Sequence, residues 1–157
     1  MRTLKIRWQR LVSDGQTCPR CDLTGEEVEK AVSVLRQVLA PLGVEVALEK
    51  SELSFAAFRE NPLESNRVWI EDKPLEEWLD GKVGRSSCCD VCGPYECRTV
   101  EVDGEVYETI TADLIVKAGL LAASKLIEMK KNESCCRNKA AETSEASCCS
   151  QHTLFQP

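Results

Sequence analysis

The sequence predicts an α/β fold, with a central mixed β-sheet of about four to five strands flanked by helices. Two observations support this class. The first fifty residues alternate strand, helix and strand, and an Asp103-Gly104 turn joins two strand-like runs before a last helical stripe. The chain has 157 residues, of which 43% are hydrophobic, and this is enough for one packed domain.

The amino-terminal unit consists of a strand, a helix and a second strand. Residues 4–8 alternate apolar and basic side chains, which indicates a strand with one buried face. Thr24 and Glu27 form a capping-box pattern, so a helix is expected from about Gly25 to Pro41, closing near Gly43. Residues 44–48 alternate again. Because strand–helix–strand units are right-handed, we expect these two strands to be parallel.

The middle of the chain is less regular. Residues 51–60 predict a short helix or an irregular crossover, residues 67–70 a third strand, and residues 75–79 a short helical piece. Glu76 and Glu77 in this piece are interpreted as helix-start and solvent-face charges. Residues 81–97 are expected to form a loop that carries four cysteines.

The carboxy-terminal third predicts a hairpin and a helix. Asp103-Gly104 favours a tight turn because both positions need positive φ, and the hairpin is expected to complete the mixed sheet. Thr111 can cap the last helix. After Lys130 the composition turns to Ser, Glu, Asn and Lys, which cannot bury enough apolar surface to offset the cost of ordering. We therefore expect one domain over residues 1–130 and a flexible, cysteine-rich tail over 131–157.

Charge and hydropathy exclude several classes of protein. The net charge of −6 gives no electrostatic support for binding nucleic acid. No apolar run approaches the roughly 20 residues of a membrane span, and the first ten residues do not resemble a secretion signal. We expect a cytoplasmic location. In a reducing compartment, ten clustered cysteines favour metal binding or electron exchange over disulfide staples.

The first cysteine motif, Cys18-Pro19-Arg20-Cys21, lies between a predicted strand and a predicted helix. Unpaired N–H groups at a helix amino terminus favour a thiolate, so Cys18 is the candidate nucleophile and Cys21 the candidate resolving thiol. The alternatives are half of a structural zinc site and a pair of inert thiols.

The order of strand, Cys-Pro-x-Cys motif, helix, later strand, hairpin and helix resembles the thioredoxin-like superfamily. Residues 1 to about 128 also resemble a small uncharacterised prokaryotic thioredoxin-like family. The shared features are the residue 18–21 motif, Ser65-Asn66, the run from Cys89 to Gly93, and the closing hairpin and helix. The resemblance implies a thioredoxin-like fold and no established activity.

A second group of thiols occupies the predicted loop and consists of Cys88, Cys89, Cys92 and Cys97. Cys89 and Cys92 have the CxxC spacing. Four thiolates could close a tetrahedral zinc site, and an iron–sulfur cluster remains an alternative.

The tripeptide Ser-Cys-Cys begins this second group and recurs twice in the predicted tail. The tail therefore contributes four more candidate ligands, Cys135, Cys136, Cys148 and Cys149. Adjacent Cα atoms are about 3.8 Å apart, below the roughly 4.4 Å minimum of ordinary disulfides. Such pairs suit a soft ion held by both sulfurs, such as Cu(I), Hg(II) or As(III).

Together these patterns predict thiol-based binding and transfer of a soft metal or metalloid ion, in a setting such as arsenic or mercury resistance. One alternative is an enzyme, a dithiol–disulfide oxidoreductase that uses the residue 18–21 motif on a disulfide or thiol protein partner. The other is a structural zinc protein. The bound group would be a thiolate-held soft ion or zinc, and its identity stays open.

Overall fold

A computed structural model describes the backbone of residues 2–137 and the side chains as far as residue 128. The packing described below belongs to the first compact unit of the chain, which ends at Leu126. The strands are β1 (Arg2–Leu11), β2 (Val44–Leu53), β3 (Arg67–Ile70), β4 (Lys73–Pro74), β5 (Lys82–Ser87), β6 (Glu96–Val102) and β7 (Glu105–Tyr107). The helices are α1 (Pro19–Leu39), α2 (Phe55–Glu60), α3 (Leu75–Trp78) and α4 (Ala112–Arg137).

The first sheet has the strand order β2-β1-β3-β4. β1 and β2 are parallel over ten residue pairs, from Arg2 with Val44 to Leu11 with Leu53, which confirms the expected parallel pair. β3 is antiparallel to β1, and β4 is antiparallel to β3. Along β1, Leu4, Ile6 and Trp8 are buried while the residues between them are exposed, as the alternation predicted. The α/β class is therefore confirmed.

The predicted hairpin is present, but its expected place in the central sheet is wrong. Asp103 and Gly104 have φ values of 53° and 83° and connect β6 to β7. These strands pair with β5 in a separate three-stranded sheet, in the order β5-β6-β7. The first sheet ends at β2 on one side and at β4, a strand of only two residues, on the other, so the hairpin extends neither edge.

The segment expected to be a cysteine-bearing loop is partly strand. β5 covers Lys82–Ser87, a short 3-10 turn covers Asp90–Cys92, and β6 begins at Glu96. The sequence of β5 has little β-branched character, so its strand state comes from pairing with β6. Gly84 permits this pairing, because a Cβ there would lie 2.7 Å from the hydroxyl oxygen of Thr99.

Helix α1 begins at Pro19, six residues before the expected start at Gly25. Cys18 is the N-cap residue, and its Sγ accepts a hydrogen bond from the Cys21 amide at 3.4 Å. Proline suits the first helical position because its fixed φ matches a helix and its missing N–H would have been unpaired. The expected closure near Gly43 is confirmed, with that glycine at φ 67° after a 3-10 turn.

The presumed capping-box residues serve another part of the fold. The Thr24 hydroxyl accepts a hydrogen bond from the Ile110 amide at 3.1 Å, and the Glu27 carboxylate accepts one from the Ala112 amide at 2.8 Å. They therefore hold the start of α4 against α1. The expected α1 cap was wrong because the cysteine motif already supplies one.

Glu76 also departs from its interpretation as a solvent-face charge. Its side chain is buried and paired with Arg98 of β6, while Glu77 is exposed. Burial of this carboxylate depends on a partner 22 residues away, so the local sequence pattern did not reveal it.

Helix α4 extends to Arg137, past the composition change at Lys130. The domain boundary expected there stays a prediction, and the rest of the expected tail lies outside the described residues. Within the described part of the chain, no helix combines the length and apolar character needed to cross a membrane.

Candidate metal centre

The cysteines of the two predicted sites lie at the ends of neighbouring elements. Cys18 and Cys21 stand at the start of α1, just after the long strand β1. The second group stands at the connection from β5 to β6: Cys88 and Cys89 follow β5, Cys92 ends the 3-10 turn, and Cys97 lies in β6.

Four sulfur atoms meet where these elements meet. The Sγ atoms of the four-cysteine cluster all lie within 4.8 Å of one another, and they belong to Cys18, Cys88, Cys89 and Cys92. Cys18 and Cys88 have their Sγ atoms 3.6 Å apart, although they are 70 residues apart in the chain. Cys18 and Cys92 are buried, whereas Cys88 and Cys89 are partly exposed. Cysteines from both of the sites predicted from the sequence therefore meet at one position in the fold.

Two further thiols adjoin the four-cysteine cluster without belonging to it. The Cys97 Sγ lies 3.2 Å from the Cys92 Sγ, and both residues are fully buried. Cys21 is 1% exposed, and its Sγ lies 3.6 Å from the Ser65 hydroxyl oxygen. That oxygen accepts a hydrogen bond from the Leu11 amide at 2.9 Å, so the hydroxyl hydrogen is free to point at Cys21.

Hydrogen bonds between the thiols separate their pKa values. The pKa of Cys18 is strongly lowered, first by the hydrogen bond from the Cys21 thiol and then by the one from Cys92. The same bond to Cys18 raises the pKa of Cys21. The pKa of Cys97 falls to about 7, chiefly because of its hydrogen bond with the Cys92 thiol. Burial raises the pKa of Cys88 to about 12. Cys18 is therefore the favoured thiolate, and Cys21 next to it holds its proton more strongly.

Polar contacts connect the two cysteine-bearing segments. The Arg20 Nη2 donates to the Ser87 carbonyl oxygen at 2.9 Å and lies 3.2 Å from the Glu108 carboxylate. The Ser86 hydroxyl donates to the same carboxylate at 2.9 Å. The Asn66 side-chain amide donates to the Glu108 carbonyl oxygen, also at 2.9 Å. These contacts hold the start of α1 beside the end of β5.

Sequence reasoning missed most of these supporting residues. Arg20 was visible as a charge between two cysteines, and Ser65-Asn66 as a shared family feature, but their contacts were not. Asn66 adopts φ 56°, which an asparagine tolerates better than most residues do. Glu108 had no local signal, because its contacts with Arg20 and Asn66 join residues that are far apart in the chain.

The tail cysteines lie outside this description. Cys135 and Cys136 fall within the backbone range of α4, but their side chains are beyond the described ones. Cys148 and Cys149 lie outside the described residues altogether.

The four-cysteine cluster has the donor set of a thiolate metal site. In a tetrahedral site with Zn–S bonds of about 2.3 Å, neighbouring sulfurs stand about 3.8 Å apart. The 3.6 Å between Cys18 and Cys88, and the 4.8 Å limit on every pair, are close to that spacing. The cluster could therefore bind a metal with small side-chain adjustments.

The fold and this site define the chain as an α/β protein with a candidate thiolate metal centre. Its family model matches residues 4–119, so the chain belongs to the family described as "Domain of unknown function (DUF2703)". It is also similar to an uncharacterized protein of Archaeoglobus fulgidus, with 49% identity over 112 residues that cover 71% of this chain and 82% of that protein. No solved structure matches the chain.

Proposed function

We propose that this protein binds a soft metal or metalloid ion through the four-cysteine cluster and passes it on to another thiol site. The observation that carries the proposal is the meeting of four Sγ atoms within 4.8 Å, supplied by two segments about 70 residues apart. Thiolates select soft ions, and the arsenic, mercury and copper classes are the expected cargo.

The exposure of the four thiols favours exchange over permanent burial. Cys18 and Cys92 are buried and would form the inner part of the site. Cys88 and Cys89 are partly exposed and would meet an incoming ion or a competing thiol first. An ion that is held partly at the surface can transfer by stepwise replacement of one thiolate at a time.

The tail extends this proposal. Its two Ser-Cys-Cys repeats, with Cys135, Cys136, Cys148 and Cys149, would act as a scavenging arm that delivers ions to the cluster. We propose heavy-metal or arsenic resistance in the cytoplasm as the setting, because a reducing compartment keeps such thiols available.

A thioredoxin-like relationship is part of the same proposal. It is supported by the strand order β2-β1-β3-β4, by the parallel β1–β2 pair on either side of α1, and by the cysteine motif at the start of α1. A solved structure of the protein would test it by comparison with known thioredoxin-like domains.

The test is an ion titration of the anaerobically purified, reduced full chain with As(III), Hg(II) and Cu(I), followed by alkylation of the remaining free thiols. We expect the four-cysteine cluster to be protected in the starting chain. Double replacement of Cys18 and Cys88 by serine should abolish that protection, whereas replacement of the four tail cysteines should leave it in place. If none of the three ions protects any cluster thiol, the binding role is wrong.

A second candidate function is dithiol–disulfide exchange, favoured by the lowered pKa of Cys18 at the N-cap of α1. The Cys18 thiolate would attack a substrate disulfide and release one thiolate. Cys21 would then lose its proton and attack the Cys18 sulfur of the mixed disulfide, which releases the second substrate thiolate and leaves an oxidised Cys18–Cys21 pair for a dithiol reductant to restore. Turnover that is lost in Cys18→Ser would support this function. Activity no greater than that of a free dithiol would exclude it.

A third candidate is a structural zinc site, favoured by the full burial of Cys92 beside Cys18. It requires zinc to copurify with the protein and the fold to be lost on chelation. A stable, metal-free protein would exclude it. Elemental analysis measures the zinc content, and thermal unfolding measures whether the fold survives without it.

A further inference from the structure

Cys21 and Cys97 each contact one buried member of the four-cysteine cluster. Cys97 lies 3.2 Å from Cys92, sulfur to sulfur. The Cys21 amide donates a hydrogen bond to the Cys18 Sγ at 3.4 Å, so the Cys21 backbone lies directly against the same cluster. The two extra thiols therefore adjoin the inner half of the cluster, whereas Cys88 and Cys89 form its partly exposed half.

We propose that the six cysteines form a binuclear site for two soft divalent ions, with Cys18 and Cys92 as bridging thiolates. The outer ion would take Cys88 and Cys89 as its terminal ligands, and the inner ion would take Cys21 and Cys97. The inference deepens the proposed function, on which it rests, by naming a second site and the charge class of its cargo.

Sulfur spacing supports the two bridges. Cys18 and Cys92 lie within 4.8 Å of each other and both belong to the outer group. Cys92 contacts the inner Cys97 thiol, and Cys18 accepts a hydrogen bond from the amide of the inner residue Cys21. A thiolate carries more than one lone pair and can bind two ions at once. The Cys92–Cys97 distance of 3.2 Å would need to open only slightly to reach the tetrahedral spacing of about 3.8 Å.

Charge balance favours divalent ions. Four thiolates around one divalent ion leave two negative charges, and six thiolates around two divalent ions leave the same two. With its ion bound, the inner site would therefore add no net charge to a buried part of the protein. Monovalent ions would leave the six-sulfur group with twice that negative charge, which burial disfavours.

The polar groups around the two inner residues, Cys21 and Cys97, favour the thiolate form of both. The Ser65 hydroxyl lies 3.6 Å from the Cys21 Sγ and has its hydrogen available, because its oxygen already accepts from Leu11. On the other side, the Arg20 guanidinium, with a side chain only 10% exposed, holds its positive charge beside the end of β5. One of its nitrogen atoms, Nη1, is buried and has no hydrogen-bond partner among the described residues.

The test counts Cd²⁺ ions on a full-length chain whose four tail cysteines are replaced by serine, so that six cysteines remain. The reduced protein is titrated anaerobically, bound ions are counted by native mass spectrometry, and the thiolate-to-metal absorption is followed in parallel. We expect two ions per chain, and one ion per chain in either Cys97→Ser or Cys21→Ser.

Controls separate loss of an ion from loss of the fold. Circular dichroism and urea unfolding verify each variant, and Cys97→Ala replaces Cys97→Ser if the serine form does not fold. A count of one ion in the six-cysteine chain overturns the binuclear site and leaves the proposed function standing. A count of zero overturns both. A count of two that survives Cys97→Ser and Cys21→Ser overturns the assignment of the inner ligands.

Discussion

Arg20 connects the two segments that carry the four-cysteine cluster. Its guanidinium donates to the Ser87 carbonyl, one residue before Cys88, and pairs with Glu108. The Arg20 side chain is nine-tenths buried, so its hydrogen bonds are screened less by water than those of a surface charge. Among the described residues Arg20 makes no hydrogen bond to a sulfur atom, and we regard it as a residue that positions the site.

Replacement of Arg20 by glutamine should weaken ion binding at the four-cysteine cluster. Loss of the charge-assisted contact to Ser87 frees the end of β5, and we expect Cd²⁺ affinity to fall about tenfold, equivalent to about 1.4 kcal/mol. Competition with a chromophoric chelator measures the affinity. Arg59→Gln is the matched control, since Arg59 lies exposed in α2, and it should bind like the unchanged chain. Equal affinities in the two variants would contradict the positioning role.

At the scale of elements, the packing of α1 against β1 determines the position of the cysteine motif. Gly25 lies on α1 against the buried ring of Trp8, and a Cβ there would lie 2.6 Å from the Trp8 Cη2 atom. The absence of a side chain thus lets the amino-terminal half of α1 approach the sheet closely. The sequence suggested Gly25 as a helix start, but its role is close packing inside the helix.

Gly25→Ala should destabilise the protein although alanine is the better helix former. The gain in helix propensity is about 1 kcal/mol, whereas overpacking against a rigid ring costs roughly 1–3 kcal/mol. Gly119→Ala is the matched control: its Cβ would meet the Leu35 Cδ1 atom at 2.6 Å, and the end of a leucine moves more easily than an indole ring. Urea unfolding should give a lower stability for Gly25→Ala than for Gly119→Ala, and the reverse order would refute the packing argument.

At the scale of the whole unit, a buried ion pair holds the second sheet to the rest of the first compact unit. Arg98 of β6 pairs with Glu76 of α3 and donates to the Leu63 carbonyl oxygen at 3.0 Å. The Arg98 side chain is 5% exposed and that of Glu76 is 9% exposed. Burial lowers the pKa of Arg98, which reflects the cost of holding its charge away from water.

Removing one partner of this ion pair should lower the free energy of unfolding far more than removing both partners. Arg98→Met leaves the Glu76 carboxylate buried without its partner, and we expect a loss of about 3–5 kcal/mol in the free energy of unfolding. The double variant Arg98→Met/Glu76→Leu should recover a large part of that loss. Lys117→Met removes an exposed pair with Asp103 and should change stability by less than about 1 kcal/mol. If the single and double variants lose equal stability, the ion pair is not the cause.

Local patterns were sufficient for the features that depend on near neighbours. The alternation of Leu4, Ile6 and Trp8 predicted β1 and its buried face. Residues 67–70 predicted β3 with the observed bounds, and Asp103-Gly104 predicted the turn between β6 and β7. The α/β class followed from these elements and from the amphipathic helix between the first two strands.

Local sequence patterns gave the wrong prediction where two signals competed to mark the same helix start. They also failed where a segment carried no signal for its secondary structure. Thr24 and Glu27 looked like a cap for α1, yet the Cys18 sulfur caps it and the two residues bind the start of α4. β5 had no strand signal because its pairing with β6, across Gly84, provides the stabilisation. The separate second sheet was missed for the same reason.

The amino-acid sequence by itself determined the main elements, the number of thiols and the two motifs that carry six of them, because these depend on residues close together in the chain. Only the tertiary structure decided that Cys18 joins Cys88, Cys89 and Cys92. The two groups are separated by about 70 residues, and no pattern within either could specify the distance between them. That distance results from packing α1 against the sheet and from the Arg20 contact to the end of β5.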